Sequence, residues 1–190
     1  MISNKTALLL GVAPVLLSFL TACSSANTAG GSGGADTGGS ASSSAGVGGG
    51  CQPYQVPAGT DLTTPTVSLK NDVVVGIFNA SCGAAACHGS PTGLGVVQLG
   101  SETAAGADAS QVRTGLVGVD SAELATMPYV TAGDPTKSYL MHKMDGDQCQ
   151  FDAQCAGASC LATMPNGGVV LPVPQRDVVR RWIAQGALDN

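Results

Sequence analysis

Between Ser24 and Gly50 the chain contains almost nothing but Gly, Ser, Ala, Thr and Asn, with Val47 as its one sizeable apolar side chain. Such a stretch cannot bury enough surface to offset the entropy of ordering it. It is expected to behave as a random coil with an end-to-end distance of roughly 30 Å, from about 5–6 Å times the square root of its residue count. Compact structure is therefore expected from Cys51 to Asn190, enough for one small domain. That remainder is rich in Gly and Ala, and Phe78, Tyr129, Tyr139, Phe151 and Trp182 are its main large side chains. Small domains are marginal even with well-filled cores, so disulfides or a large apolar cofactor are expected to help. The net charge of −5 and the lack of a basic stripe argue against nucleic acid as a partner.

The N-terminus explains why a tether would be present. One cation, Lys5, precedes an uncharged apolar run from Ala7 to Leu20, which ends in Leu20-Thr21-Ala22-Cys23. That order is the layout of a secretory signal, and the run is short for a transmembrane span and interrupted by Pro14. Leu-Thr-Ala-Cys is similar to the bacterial lipobox, in which the cysteine thiol takes a diacylglycerol before cleavage. The resemblance implies a signal over residues 1–22, lipid attachment at Cys23 and a linker over 23–50. It places the protein in the cell envelope, bound to a membrane through its lipid anchor. Ser24 after the cysteine fits the outer membrane, with the domain facing the periplasm or the cell surface.

An exported chain sits where thiols oxidise. With Cys23 assigned to lipid, Cys51, Cys82, Cys87, Cys149, Cys155 and Cys160 remain, an even number. Three disulfides would use all six. Alternatively Cys82 and Cys87 serve another purpose, because His88 follows Cys87 directly and the chain has only one other histidine, His142. The stretch Cys82-Gly83-Ala84-Ala85-Ala86-Cys87-His88 resembles the haem-attachment motif of c-type cytochromes, with four residues between the cysteines instead of two. That chemistry needs two thiols reaching two vinyl groups on one porphyrin edge and an adjacent imidazole that binds iron. The competing reading is a short-loop disulfide beside an uninvolved histidine. A zinc site would lack the usual paired spacing and a histidine partner for Cys149, Cys155 and Cys160.

The surrounding periodicity is helical. Asn71 or Asp72 can cap a helix with Val73, Val74, Ile77 and Phe78 on one face, running into the motif. Asp134 and Pro135 can start a helix through Tyr139, Leu140 and Met144 that closes near Gly146, and another is expected from Ser110 to Leu116. Val96 to Leu99 is ambiguous and could be extended. Pro174 near the start, then Val178, Val179, Trp182 and Ile183 on one face and Gly186 at the stop, describe an amphipathic terminal helix. Its Trp could pack on the first helix. Leu-Ala-Thr-Met-Pro occurs at both Leu124–Pro128 and Leu161–Pro165, which is read as coincidence and not as a structural repeat.

These stretches, taken in order, resemble a family. Ile77-Phe78 before Cys82, Cys87-His88-Gly89, the run from Ala132 to Lys143 around Gly-Asp-Pro, Met164-Pro165 with Gly167, and Arg180 to Ala187 around Trp182-Ile183 are similar to cytochrome c-like domains common in planctomycetes and deltaproteobacteria. The resemblance covers roughly residues 70–188. Ala132 stands where that family usually has proline, and a cysteine-bearing insertion precedes Met164. It implies an all-α domain over 70–190, after an extension over 51–69, carrying one covalent haem c. Cys82 and Cys87 would hold the cofactor and His88 would be the proximal iron ligand. Met164 would be the distal ligand, with Met127 second; Met141 and Met144 are read as packing residues, and His142 as a surface histidine beside Lys143 on a wet face. Cys51, Cys149, Cys155 and Cys160 would then form two disulfides in one of three pairings.

With both axial positions filled by protein, the expected activity is electron transfer with redox partner proteins and not enzymatic turnover. The rival from another class is a haem-free, disulfide-stapled lipoprotein that binds a protein or another envelope component. A small-ligand or peroxide site at an iron lacking Met164 is the third reading.

Overall fold

The computed structural model describes residues 51–90, 97–103, 105–167 and 169–190. The expected signal, the lipid site at Cys23 and the linker lie outside the described residues, as does Val96. None of the described helices is long and apolar enough to cross a membrane. The described part is helical without a sheet, its strand-like pairing limited to isolated bridges between Val117 and Val130 and between Asp120 and Pro128.

The first helix is wound more widely than expected. Leu69–Phe78 is a π-helical segment that continues directly into α1, Asn79–Cys82. Its cap is Ser68, one turn before the expected Asn71 or Asp72: the Ser68 hydroxyl accepts from the Asn71 amide, and the Asp72 carboxylate accepts from the Ser68 amide at 2.8 Å. The two side chains thereby satisfy N-terminal amides that the helix leaves without partners. Leu69, Val73, Val74, Ile77 and Phe78 are buried, the face that the periodicity marks.

Asp108 caps α2, Ala109–Leu116, through the Gln111 amide. The helix expected after Asp134 is broken in two, a 3-10 turn at Pro135–Lys137 and α3 at Tyr139–Asp145. Ser138 makes the break. It is buried and extended, its hydroxyl donating to the Asp134 carbonyl at 2.8 Å and accepting from the Thr131 amide at 2.9 Å. A side chain that bonds nearby backbone in this way competes with helical pairing. Gly146, at φ 76°, ends α3 in the left-handed region that suits glycine.

The terminal helix α4, Val173–Ala184, forms as its apolar spacing predicts, and it packs on the π-helical segment and on α3. Val179, Trp182 and Ile183 join Val73, Phe78, Leu116 and Met141 in one core. Trp182 Nε1 donates to the Leu188 carbonyl at 2.9 Å, so the indole is buried without leaving its polar atom unpaired.

The extension belongs to the same folded unit. The Cys51–Cys149 disulfide ties its start to the segment after α3, and Gln185 Nε2 donates to the carbonyls of Thr63 and Pro65 at 2.9 Å each. The Tyr54 ring lies 4.4 Å from the Arg176 guanidinium and 5.0 Å from that of Arg180. Both arginines are buried and both pair with Asp145 at the end of α3. Buried charges of this kind persist only when paired and hydrogen-bonded.

Candidate functional site

The Cys82–Gly89 loop is closed by its own backbone. The His88 amide donates to the Cys82 carbonyl at 3.1 Å, and the amides of Cys87 and Gly89 both donate to the Ala84 carbonyl. The small intervening residues let the chain fold back on itself, and Gly89 shows how tightly: a Cβ there would stand 2.0 Å from the Gly83 carbonyl oxygen. Leu99 and Gly100 return to donate to the His88 carbonyl, so the residues after the motif hold the histidine from the far side.

That return also orients the imidazole. His88 Nδ1 lies 2.7 Å from the Val97 carbonyl oxygen. A carbonyl oxygen can only accept, so Nδ1 carries the proton, and in the neutral ring the lone pair resides on Nε2. Metal-binding histidines are oriented by the same kind of bond from their other nitrogen.

His88 borders a largely apolar cleft that is partly open to solvent. Phe78, Leu99, Leu116, Leu140 and Leu171 supply apolar wall, and Cys82, Met144 and Met164 reach the same space. Cys82 is a free thiol, and burial pushes it up to about 12. It is therefore protonated at neutral pH and a poor nucleophile where it stands, whereas a neutral sulfur substituent suits that wall.

Cys87 differs from Cys82. It is 8% exposed, is engaged in a disulfide and is not part of the cleft wall. The other described cysteines pair as Cys51–Cys149 and Cys155–Cys160, one of the three pairings left open by the sequence.

Among the candidate distal ligands, Met164 and Met144 face the cleft, whereas Met127, Met141 and His142 do not line it. Met127 packs instead against Leu124, Tyr139, Cys155 and Cys160. Met144 has both roles, since it is also buried in the main core.

The expected wet face of α3 is not wet. His142 keeps 13% of its side-chain surface exposed, with Nδ1 2.8 Å from Asp147 Oδ1 and Nε2 3.1 Å from the Thr136 carbonyl. Burial alone would lower this imidazole's pKa, but the Asp147 carboxylate, the Thr136 carbonyl and the charge of Asp145 outweigh it and hold it above its ordinary value.

Lys143 is buried too, with its ammonium 2.8 Å from Glu123 Oε2 and 2.8 Å from the Cys160 carbonyl. Tyr139, one turn earlier, donates to the same Glu123 oxygen at 2.6 Å, and burial together with that carboxylate raises the phenol's pKa. Glu123, Tyr139 and Lys143 all border the cleft. Periodicity could not single them out, because their pairing joins residues distant in the chain.

The described residues hold no cluster of three or more His, Cys, Asp or Glu side chains fit for a bare metal ion. Haem iron makes no such demand, since the porphyrin supplies four ligands and the protein two. His88, Met144, Met164 and Cys82 line the cleft; an imidazole and a thioether are side chains that haem iron would take, while Cys87, the second cysteine of the motif, lies off the wall. No family model, curated protein or solved structure matches this chain.

Proposed function

We propose that Cys51–Asn190 forms a single-haem, cytochrome c-like electron-transfer domain, carried at a membrane surface of the cell envelope by a lipid on Cys23. The observation that carries the reading is the convergence of Cys82, His88 and Met164 on one apolar cleft, with His88 Nδ1 committed to the Val97 carbonyl. Bound haem c supplies a centre that gains and loses one electron. His88 Nε2 would be the proximal ligand and Met164 the distal one, a pair that favours iron(II) and raises the potential. Cys82 and Cys87 would hold the cofactor edge as thioethers, and the leucine walls would keep water from it. Two protein ligands leave no open coordination position, which suits exchange of electrons with partner proteins better than substrate turnover.

Attachment at Cys87 requires its sulfur as a thiol, so a dithiol reductant must first open the disulfide there. The second reading, a haem-free stapled lipoprotein acting as a binding module in the envelope, is supported by the disulfides Cys51–Cys149 and Cys155–Cys160. Export of the full chain from cells with haem-maturation machinery, followed by denaturation, gel electrophoresis and staining for covalent haem, separates the two. A stained band that disappears in the Cys82→Ser, Cys87→Ser double variant is the expected result. A colourless wild-type band with Cys87 still in a disulfide by mass mapping would end the cytochrome reading.

A further inference from the structure

We infer that Lys143 is a positioning residue for Met164, an inference that rests on the haem reading above. Residues 160–165 form no regular secondary structure, and Leu161 sits at φ 56°, in the left-handed region that non-glycine residues seldom occupy. Such a segment needs outside support to present a side chain at one place. The support comes from α3 and the turn that follows it. Lys143 Nζ donates to the Cys160 carbonyl at 2.8 Å, Gln148 Nε2 donates to the Leu161 carbonyl at 3.0 Å, and the Met164 amide donates to the Lys143 carbonyl at 2.9 Å.

Lys143 therefore holds both ends of the segment, one with its ammonium and the other with its backbone. The same helix contributes Leu140 and Met144 to the cleft, so the segment is fixed relative to the wall it faces. Burying an ammonium group at 6% exposure is costly unless it is fully paired, and an apolar side chain would fill the position without that cost. What an apolar side chain cannot do is hold a carbonyl. Glu123 balances the charge at 2.8 Å, and Tyr139 steadies Glu123 from one turn earlier on α3.

The test replaces the pair and not the lysine alone, because Lys143→Met by itself would leave Glu123 without its counter-charge. The Lys143→Met, Glu123→Gln double variant removes the grip on Cys160 while keeping the site neutral and the Met164 amide bond available. In the haem-free full chain, hydrogen exchange over 160–167 should run about tenfold faster than in wild type, with the protection of α4 unchanged. In the haem-loaded chain, the variant should keep its covalent haem, lose the far-red absorption of thioether-ligated iron(III), and show a lower potential. Lys143→Arg, which keeps a charged donor, should restore that absorption at least in part.

A haem-loaded double variant with the absorption and potential of wild type would overturn the inference and leave the haem reading standing. A wild-type chain that takes up no covalent haem would overturn both.

Discussion

The pentapeptide Leu-Ala-Thr-Met-Pro occurs at Leu124–Pro128 and again at Leu161–Pro165, and the two copies have different surroundings. Leu124 is 1% exposed and Leu161 is 66% exposed. In the first copy the Met127 amide donates to the Leu124 carbonyl, so the segment closes on itself as a turn, and Met127 packs beside Tyr139 and the Cys155–Cys160 disulfide. In the second copy the same amide donates away from the segment, to α3, and Met164 lines the cleft. Five identical residues thus give one methionine a packing role and the other a place at the candidate site. The difference lies in what each segment meets: Ser121 caps the first copy at the Leu124 amide, whereas Lys143 and Gln148 hold the second open.

The contrast can be broken most severely at the helix that holds the second copy. Asp145 ends α3 and pairs with both Arg176 and Arg180, which are buried. Asp145→Ala leaves the buried Arg176 guanidinium without its carboxylate and Arg180 with Asp177 alone, and should cost about 3–5 kcal/mol in denaturant unfolding, the range for breaking a buried ion pair. A loss below about 1 kcal/mol would mean that solvent and the existing Arg180–Asp177 pair suffice to balance the charge.

A matched pair of substitutions sharpens the comparison directly. Leu124→Ala removes a side chain from a closed cluster and should cost about 2–5 kcal/mol, whereas Leu161→Ala should stay within about 0.5 kcal/mol of wild type. Equal costs at the two positions would contradict the burial difference.

The smallest expected effect is a pH slope at the far end of α3. His142 is held above its ordinary pKa in the folded state, so its contribution to stability is complete below its unfolded value, about 6.5, and is lost as pH rises through the folded one. The wild-type melting temperature should therefore fall as pH is raised above about 6.5, and His142→Gln should flatten that fall. An unchanged slope in the variant would assign the pH dependence to another group.

Much of the helical scaffold was legible because its signals act within a turn or two. The apolar face of α4, the start of α2 and the glycine that ends α3 all depend on residues a few positions apart. The Cys82–Gly89 loop is equally local, its backbone bonds running from His88 to Cys82 and from Cys87 and Gly89 to Ala84. The break at Ser138 was less accessible. Asp134 and Pro135 announce a helix start, but only the spatial return of Thr131 to the Ser138 hydroxyl shows why the helix stops and begins again.

By itself, then, the sequence determined the helical periodicity of the domain and the placing of Cys82, Cys87 and His88 within one short loop. The tertiary structure decided the pairing of Cys51 with Cys149 and of Cys155 with Cys160, the docking of the extension on α4, and the burial of His142 and Lys143. It also decided which copy of Met-Pro reaches the cleft. The physical reason is the range of the forces involved. Helical periodicity and loop closure use neighbours along the chain, whereas a buried charge is tolerated only where its partner arrives, and the partners here come from segments that meet only when the domain is folded.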